Sequence, residues 1–463
     1  MDIESQSSTM TVEEHKELGR LKARYLKATV AHIIEDARWR EYRFIESNGR
    51  LFRRNVRSMI NINDMKKIFY LFCFLCISSF SIAQKNKPVV NVYVDNTGSM
   101  FGYISSGNEF EWTISNLLTS INLSELTYDE NIHLHYINSA IFPYRGTPAN
   151  FLNGVTIHNA STYRGDLGKT CMSNFFSKVL DRTSGDTISI IISDFIISPG
   201  QGADATTVLA AEKNAISNIV KSTLNKHSDL SVAMYRMLST FNGKFYDCQD
   251  HYKRINTTRP YYMCVISNRS LISAFRSKVR YGSLDNGHGR SAVTNSYVFF
   301  NINSNRDAKY TILSTSSGHI IEGSKGVKRA RLGNDKKYRF TIAIDLSQYG
   351  LLGNYLTQNS SYSLNNPLYQ ITKVEKMQGV GTTHRVHIET STNPTPCQLI
   401  ITLKNKVPSW VESYNVDSND CDQVFNEENL DKTFGIKTIA DAVFNAFYYN
   451  KSDLLKIAVT INQ

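Results

Sequence analysis

Beyond residue 84 the hydrophobic and polar positions follow two rhythms, and the first alternates strand with helix. Residues 88–94 are a short β-rich run ending at Asp95; residues 132–137 alternate as a strand, with 155–158 as its short partner. Between them Phe110, Ile114, Leu117 and Leu118 stand at i, i+4, i+7 and i+8, one face of a helix over 108–120. The pattern then predicts a helix over 172–181, an apolar strand over 187–193 and a helix over 205–224. Strands over 230–238 and 261–266 and a helix over 271–279 follow. Near-continuous apolar strands belong to a parallel sheet covered by helices on both faces, so this part reads as a doubly wound, Rossmann-like α/β domain. Residues 240–259 are polar, and Asn242-Gly243 predicts a small surface hairpin there.

The second rhythm begins after the Gly/Ser-rich stretch 281–291. Strand-like runs recur at 297–302, 310–313, 339–346, 369–374, 385–389 and 398–404, separated by Asn, Ser, Gly and Pro, as in a β-sandwich. A helix over 439–448 and a strand over 455–461 close the chain. A length of 463 residues suits two or three domains. The β-rich C-terminal domain is placed at 291–463.

The N-terminal part has a different character. Met65-Lys66-Lys67 precedes the apolar run 68–83, with small Ser81 and Ala83 before Gln84: the basic start, short apolar stretch and small-x-small site of a secretory signal peptide over 65–83. The run is short for a membrane span. Cys76 follows Phe-Leu, not the small residues of a lipid-attachment site. Residues 1–64 form an N-terminal extension with a charged helical pattern, either upstream of a true start at Met65 or a cytoplasmic region ahead of a signal anchor. The expected fate is export, to the periplasm or the cell surface, with membrane contact only through the signal segment if it stays uncleaved.

Composition narrows the picture little further. With 41% hydrophobic and 20% charged residues the chain is a folded globular protein, neither collagen-like nor disordered. The net charge of +11 is not concentrated in one patch, so it reads as solubility and no nucleic-acid partner is expected. Cys171, Cys248, Cys264, Cys397 and Cys421 remain after the signal, without CxxC or zinc-ribbon spacing. Cys397 with Cys421, or Cys248 with Cys264, are the pairs open to bridging in an oxidising compartment; burial as small hydrophobes is the other reading of each.

The sharpest candidate chemistry is Asp95-Asn96-Thr97-Gly98-Ser99-Met100, directly after the first strand. In an open α/β sheet, ligands bind outside the carboxyl ends of the strands. A carboxylate and two hydroxyls at i, i+2 and i+4 suit a hard cation that prefers oxygen ligands, with a glycine between them for the tight turn. These residues resemble the DxSxS motif of von Willebrand factor A domains, in particular the DxSGSM form of bacterial members, with Thr97 replacing the first Ser. The family completes its metal site with a Thr from a second loop and an Asp from a third. Thr170, just before the 172–181 helix, matches the Thr position, with Thr162 in reserve; Asp194, ending the strand 187–193, matches the Asp, although Phe195 stands where a Gly is common.

The resemblance covers roughly residues 87–279 and places a von Willebrand A-like domain at 84–281. It implies a metal-ion-dependent adhesion site of Asp95, Thr97, Ser99, Thr170 and Asp194, holding Mg²⁺ or else Mn²⁺ or Ca²⁺. Other motifs carry less. Gly168-Lys169-Thr170 lacks the upstream glycine of a P-loop, since Tyr163 is there; His133 and His135 share a strand face but have no third ligand nearby in sequence; no GxSxG or HExxH is present. Two function classes follow. In the first, a non-enzymatic exported binding protein uses its metal ion to engage an acidic group of a protein partner. In the second, Asp95 serves a metal-dependent phosphohydrolase, chemistry that wants a second carboxylate two residues on, where Thr97 stands instead.

Overall fold

The computed structural model describes residues 87–104, 107–147, 150–151, 165–166, 171–279, 284, 287–301, 309–321, 325–377, 381–417 and 419–462. The signal segment, the N-terminal extension, the strand expected at 155–158, Thr162 and Thr170 lie outside them.

A seven-stranded sheet organises the first half. Its strands are β1 (Val89–Asp95), β2 (Ile132–Ile137), β3 (Ile141–Pro143), β4 (Thr187–Ser193), β5 (Leu230–Tyr246), β6 (Tyr252–Asn268) and β7 (Val293–Phe300), in spatial order 3-2-1-4-6-5-7. β1 runs parallel to both β2 and β4, whereas β3, β6, β5 and β7 each meet their neighbour antiparallel. The sheet is therefore mixed, not wholly parallel: the apolar runs identified buried strands, but burial on both faces does not by itself fix direction. Every residue of β4 is buried, as a central strand requires.

Among the described residues the helices α1 (Glu109–Leu123), α2 (Met172–Leu180), α3 (Ala205–Lys226) and α4 (Arg269–Lys278) accompany these strands. Three have side-chain N-caps, each satisfying a backbone N–H that the first turn leaves free. Asn108 accepts from Glu111 at 3.0 Å, Asp204 from Thr207 at 2.7 Å and Asn268 from Leu271 at 2.8 Å. The apolar stripe of α1 is buried at Phe110, Ile114, Leu117, Leu118 and Ile121, as its spacing predicts.

The expected small hairpin is much larger. β5 and β6 pair continuously from Leu230 with Asn268 to Tyr246 with Tyr252, so Asn242-Gly243 lies within a strand and the turn falls at Asp247–His251. Gly243 serves a close approach instead. A Cβ there would lie 2.7 Å from the Gly102 Cα, and one on Gly102 would collide with the Phe241 ring, so the backbones of the hairpin and of the 3₁₀ helix Gly98–Tyr103 touch directly. Gly243→Ala is expected to lower stability by about 1–3 kcal/mol, because backbone cannot yield as a side chain can. Denaturant titration checks this; an unchanged midpoint would show that the strands separate freely there.

Of the strand 297–302, read from the sequence with the sandwich, residues 297–300 belong to β7 and pair with β5. The helix α5 (Ile436–Tyr448) also returns to the first sheet: the Tyr448 hydroxyl donates to the Phe300 carbonyl at 2.8 Å, and Lys213 of α3 pairs with Asp441 at 3.4 Å. Of the remaining strands, Asn415–Val416 and Thr433–Phe434 pair in parallel as a two-stranded sheet, and the others form two β-rich sheets. One has five strands, in the order Tyr362–Leu364, Cys397–Lys404, Asp453–Ile461, Gly326–Lys328, His319–Ile320. The other has four: Tyr369–Lys376, His384–Thr390, Tyr338–Ile344 and Tyr310–Thr315. Alternating burial along Cys397–Lys404 gives that strand one inward face, and the Tyr310 hydroxyl bonds the Ala458 carbonyl across the two sheets, an arrangement compatible with a sandwich.

Neither pairing expected of the cysteines forms. Cys248, in the β5–β6 turn, is bonded to Cys421, with Cα atoms 5.2 Å apart and a sequence separation of 173. Cys264 is a buried free thiol in the middle of β6, facing the core, and Cys397 is free and half-buried.

Candidate functional site at the ends of β1 and β4

Register explains why two distant carboxylates meet. Val94 of β1 pairs with Ile192 of β4, so the next residues along, Asp95 and Ser193, emerge side by side at the carboxyl ends of adjacent parallel strands. The Ser193 hydroxyl donates to Asp95 Oδ2 at 2.6 Å, and the Thr97 N–H donates to Asp95 Oδ1 at 2.8 Å. Thr97 and Ser99 bring their hydroxyls to 3.3 Å of each other. Asp194 is tied in by its own backbone: its N–H donates to the Met100 sulfur at 3.2 Å, and its Oδ1 accepts the Ile196 N–H at 3.1 Å.

Asp95, Thr97 and Asp194 are all about 1–2% exposed. Four of the five expected ligands, Asp95, Thr97, Ser99 and Asp194, therefore share one locality, while Thr170 is outside the described residues. The neighbouring Cys171 and Ser173 do fall within them. The Ser173 N–H and the Cys171 thiol both reach Glu212 of α3, at 2.8 Å and 3.1 Å, fixing the chain where α2 begins.

Phe195 occupies its position at a cost. Its φ of 53° is the left-handed conformation in which glycine is at ease and a bulky side chain is strained by about 1–2 kcal/mol. The ring is fully buried and stacks on Tyr262, centroids 5.9 Å apart and planes 5° from parallel. That burial offsets the strain. The Phe195 N–H donates to the Ser193 hydroxyl at 3.0 Å, so one hydroxyl links the turn after β4 to the carboxylate ending β1.

Three contributors escaped the sequence reading. Ser193 was visible only as a strand residue before Asp194. Met100 acts as an acceptor, a role no spacing rule predicts. Asn138 donates to Asn96 at 2.9 Å and so ties the loop after β1 to the turn after β2.

The electrostatics follow from burial. Asp95 is pushed up to about 7, first by removal from water and then by the charge of Asp194, against which the Ser193 and Thr97 hydrogen bonds work. Asp194 is also raised by burial; the Ile196 N–H, the Ser99 hydroxyl and the Arg259 charge oppose this. Among the described residues its Oδ2 has no hydrogen-bond partner. Two buried acids and two hydroxyls, one acid oxygen unsatisfied, form a donor set suited to a hard divalent cation.

The pair has a consequence for stability. A carboxyl raised in the folded state favours folding while protonated; for Asp95 this contribution is complete below about pH 4 and is lost as pH rises through about 7. In chelator, the denaturation midpoint is expected to fall between about pH 5 and pH 8, and Mg²⁺ is expected to restore more stability at the upper end. A midpoint that rises over that window would show that the pair does not govern it.

The histidine pair has a structural part. His135 stacks on Tyr93 at 4.8 Å and is pushed down to about 4 by burial and by the charges of His133 and Arg182. Comparison with family models, with curated proteins and with solved structures gives no match.

Proposed function

We propose that this is an exported binding protein of the von Willebrand A type, in which Asp95, Thr97, Ser99, Thr170 and Asp194 hold a divalent cation, Mg²⁺ foremost, through which an acidic group of a protein partner is bound. The observation that carries this reading is the buried pair Asp95 and Asp194, with the Asp194 Oδ2 left without a partner among the described residues. An unsatisfied, desolvated carboxylate is costly, and a dication removes that cost while two carboxylates balance its charge. The hydroxyls of Thr97 and Ser99 would serve as neutral ligands. A cation so held stays electrophilic enough to accept one further carboxylate oxygen, which is the chemistry that recognises an acidic partner.

The strand order around the site supports the same reading: β1 lies between β2 and β4 with all three parallel, so three strand-end loops converge where the motif stands. The test is calorimetric titration of the protein with Mg²⁺ and Mn²⁺, beside Ser99→Ala. Loss of one neutral ligand is expected to weaken binding roughly tenfold, with circular dichroism unchanged. A pull-down with and without chelator then tests the partner. Capture that is indifferent to chelator would assign the binding function to another surface.

A further inference from the structure

The tip of the long hairpin gathers a second set of metal-binding side chains, far in sequence from the first. Asp247 and His251 flank the β5–β6 turn, and Asp422 comes from the segment following the residue that closes the disulfide. The Cys248–Cys421 bond brings these two stretches together, because each cysteine is the immediate neighbour of one of the acids. One donor atom from each of Asp247, His251 and Asp422 lies within 4.8 Å of the other two.

Charge and spacing both point to a cation. The Asp247 side chain is fully buried, and among the described residues neither it nor Asp422 is ion-paired with a Lys or Arg. Two carboxylates and a neutral imidazole carry a charge that one dication balances. His251 Nδ1 and Asp247 Oδ2 are hydrogen-bonded at 3.1 Å, which is also about the separation of two adjacent ligands each some 2.1 Å from a common ion, so a cation would replace this bond without moving either group far. Asp247 Oδ1 is held by the N–H groups of Gln249 and His251, both at 2.8 Å, so the carboxylate is oriented before any ion arrives. The imidazole separates this set from the all-oxygen site at Asp95: nitrogen donors favour zinc-class transition ions over Mg²⁺.

We propose that Asp247, His251 and Asp422 form a second metal site, for a transition dication of the zinc class, with an open position for water or a further ligand. The test uses the full chain, disulfide intact by mass, titrated with Zn²⁺ in saturating Mg²⁺ so that the Asp95 site is already engaged. One additional equivalent of Zn²⁺ is expected. His251→Ala and Asp422→Asn should each weaken it at least about tenfold with circular dichroism unchanged, whereas Asp95→Asn should leave it as in the wild type. Equal Zn²⁺ affinity in the wild type, His251→Ala and Asp422→Asn would overturn the proposal, as would Zn²⁺ binding lost only in Asp95→Asn or no Zn²⁺ binding at all. Because the Asp95 variant is carried in the same series, failure here is distinguishable from failure of the first site.

Discussion

Asp95→Asn is expected to cripple Mg²⁺ binding and, in the same molecule, to make the cation-free protein more stable at pH 8. The two effects have one origin. Asp95 is buried, raised to about 7 by desolvation and by Asp194, and hydrogen-bonded by Ser193 and Thr97. At pH 8 Asp95 is forced towards ionisation beside Asp194, and a shift of this kind corresponds to roughly 2–4 kcal/mol withheld from folding. Asn keeps the shape and removes the charge: its Oδ1 still accepts the Thr97 N–H, while its Nδ2, in the place of Oδ2, donates to the Ser193 hydroxyl oxygen instead of accepting from it. It also leaves a dication one charge short, so Mg²⁺ affinity should fall at least about a hundredfold. Calorimetry gives the first quantity and denaturant titration in chelator the second. If Asp95→Asn were destabilising in chelator at pH 8, the carboxylate would belong to the scaffold and the metal reading would lose its main support.

The second large effect belongs to the disulfide. Cys248 and Cys421 close a loop of 173 residues, and in the chain-entropy account a loop of that size stabilises the folded state by about 5 kcal/mol. The Cys248→Ser/Cys421→Ser protein is expected to lose about 4–5 kcal/mol in denaturant titration. The segment would still be held by Arg259, whose Nη1 and Nη2 donate to the carbonyls of Leu430 and Lys432 at 2.7 and 3.1 Å while its guanidinium stacks 3.5 Å from the Phe245 ring. A loss below about 1 kcal/mol would mean that these contacts alone confine the segment.

Much of this architecture was legible in the chain because local pattern and burial agree. The strand 187–193 and the strand 132–137 are found at the residues their apolar runs mark, and the helices over 108–120 and 205–224 differ only at their ends. What could not be read was non-local. Nothing in a periodicity says that β6 runs against β4, or that the strand beginning near 293 closes the first sheet instead of opening a second. Asn242-Gly243 misled because a glycine required for close approach looks the same in sequence as one required for a turn. At the site, Asp95 and Asp194 were found from their places at strand ends, whereas Ser193 and Met100 act through pairings that only register creates.

The contact between Gly102 and Gly243 has no side chain in it. Side chains between two segments act as a cushion: rotamers adjust, and a small displacement on one side is absorbed. Here backbone meets backbone, with the Phe241 ring filling the space beside Gly102, so movement has nowhere to dissipate. The turn that carries Ser99 and Met100 and the hairpin that carries Asp247 and His251 are thus joined as two plates of a clutch pressed face to face. They should open together or not at all, and amide exchange at residues 98–103 and 240–246 should report a single opening event.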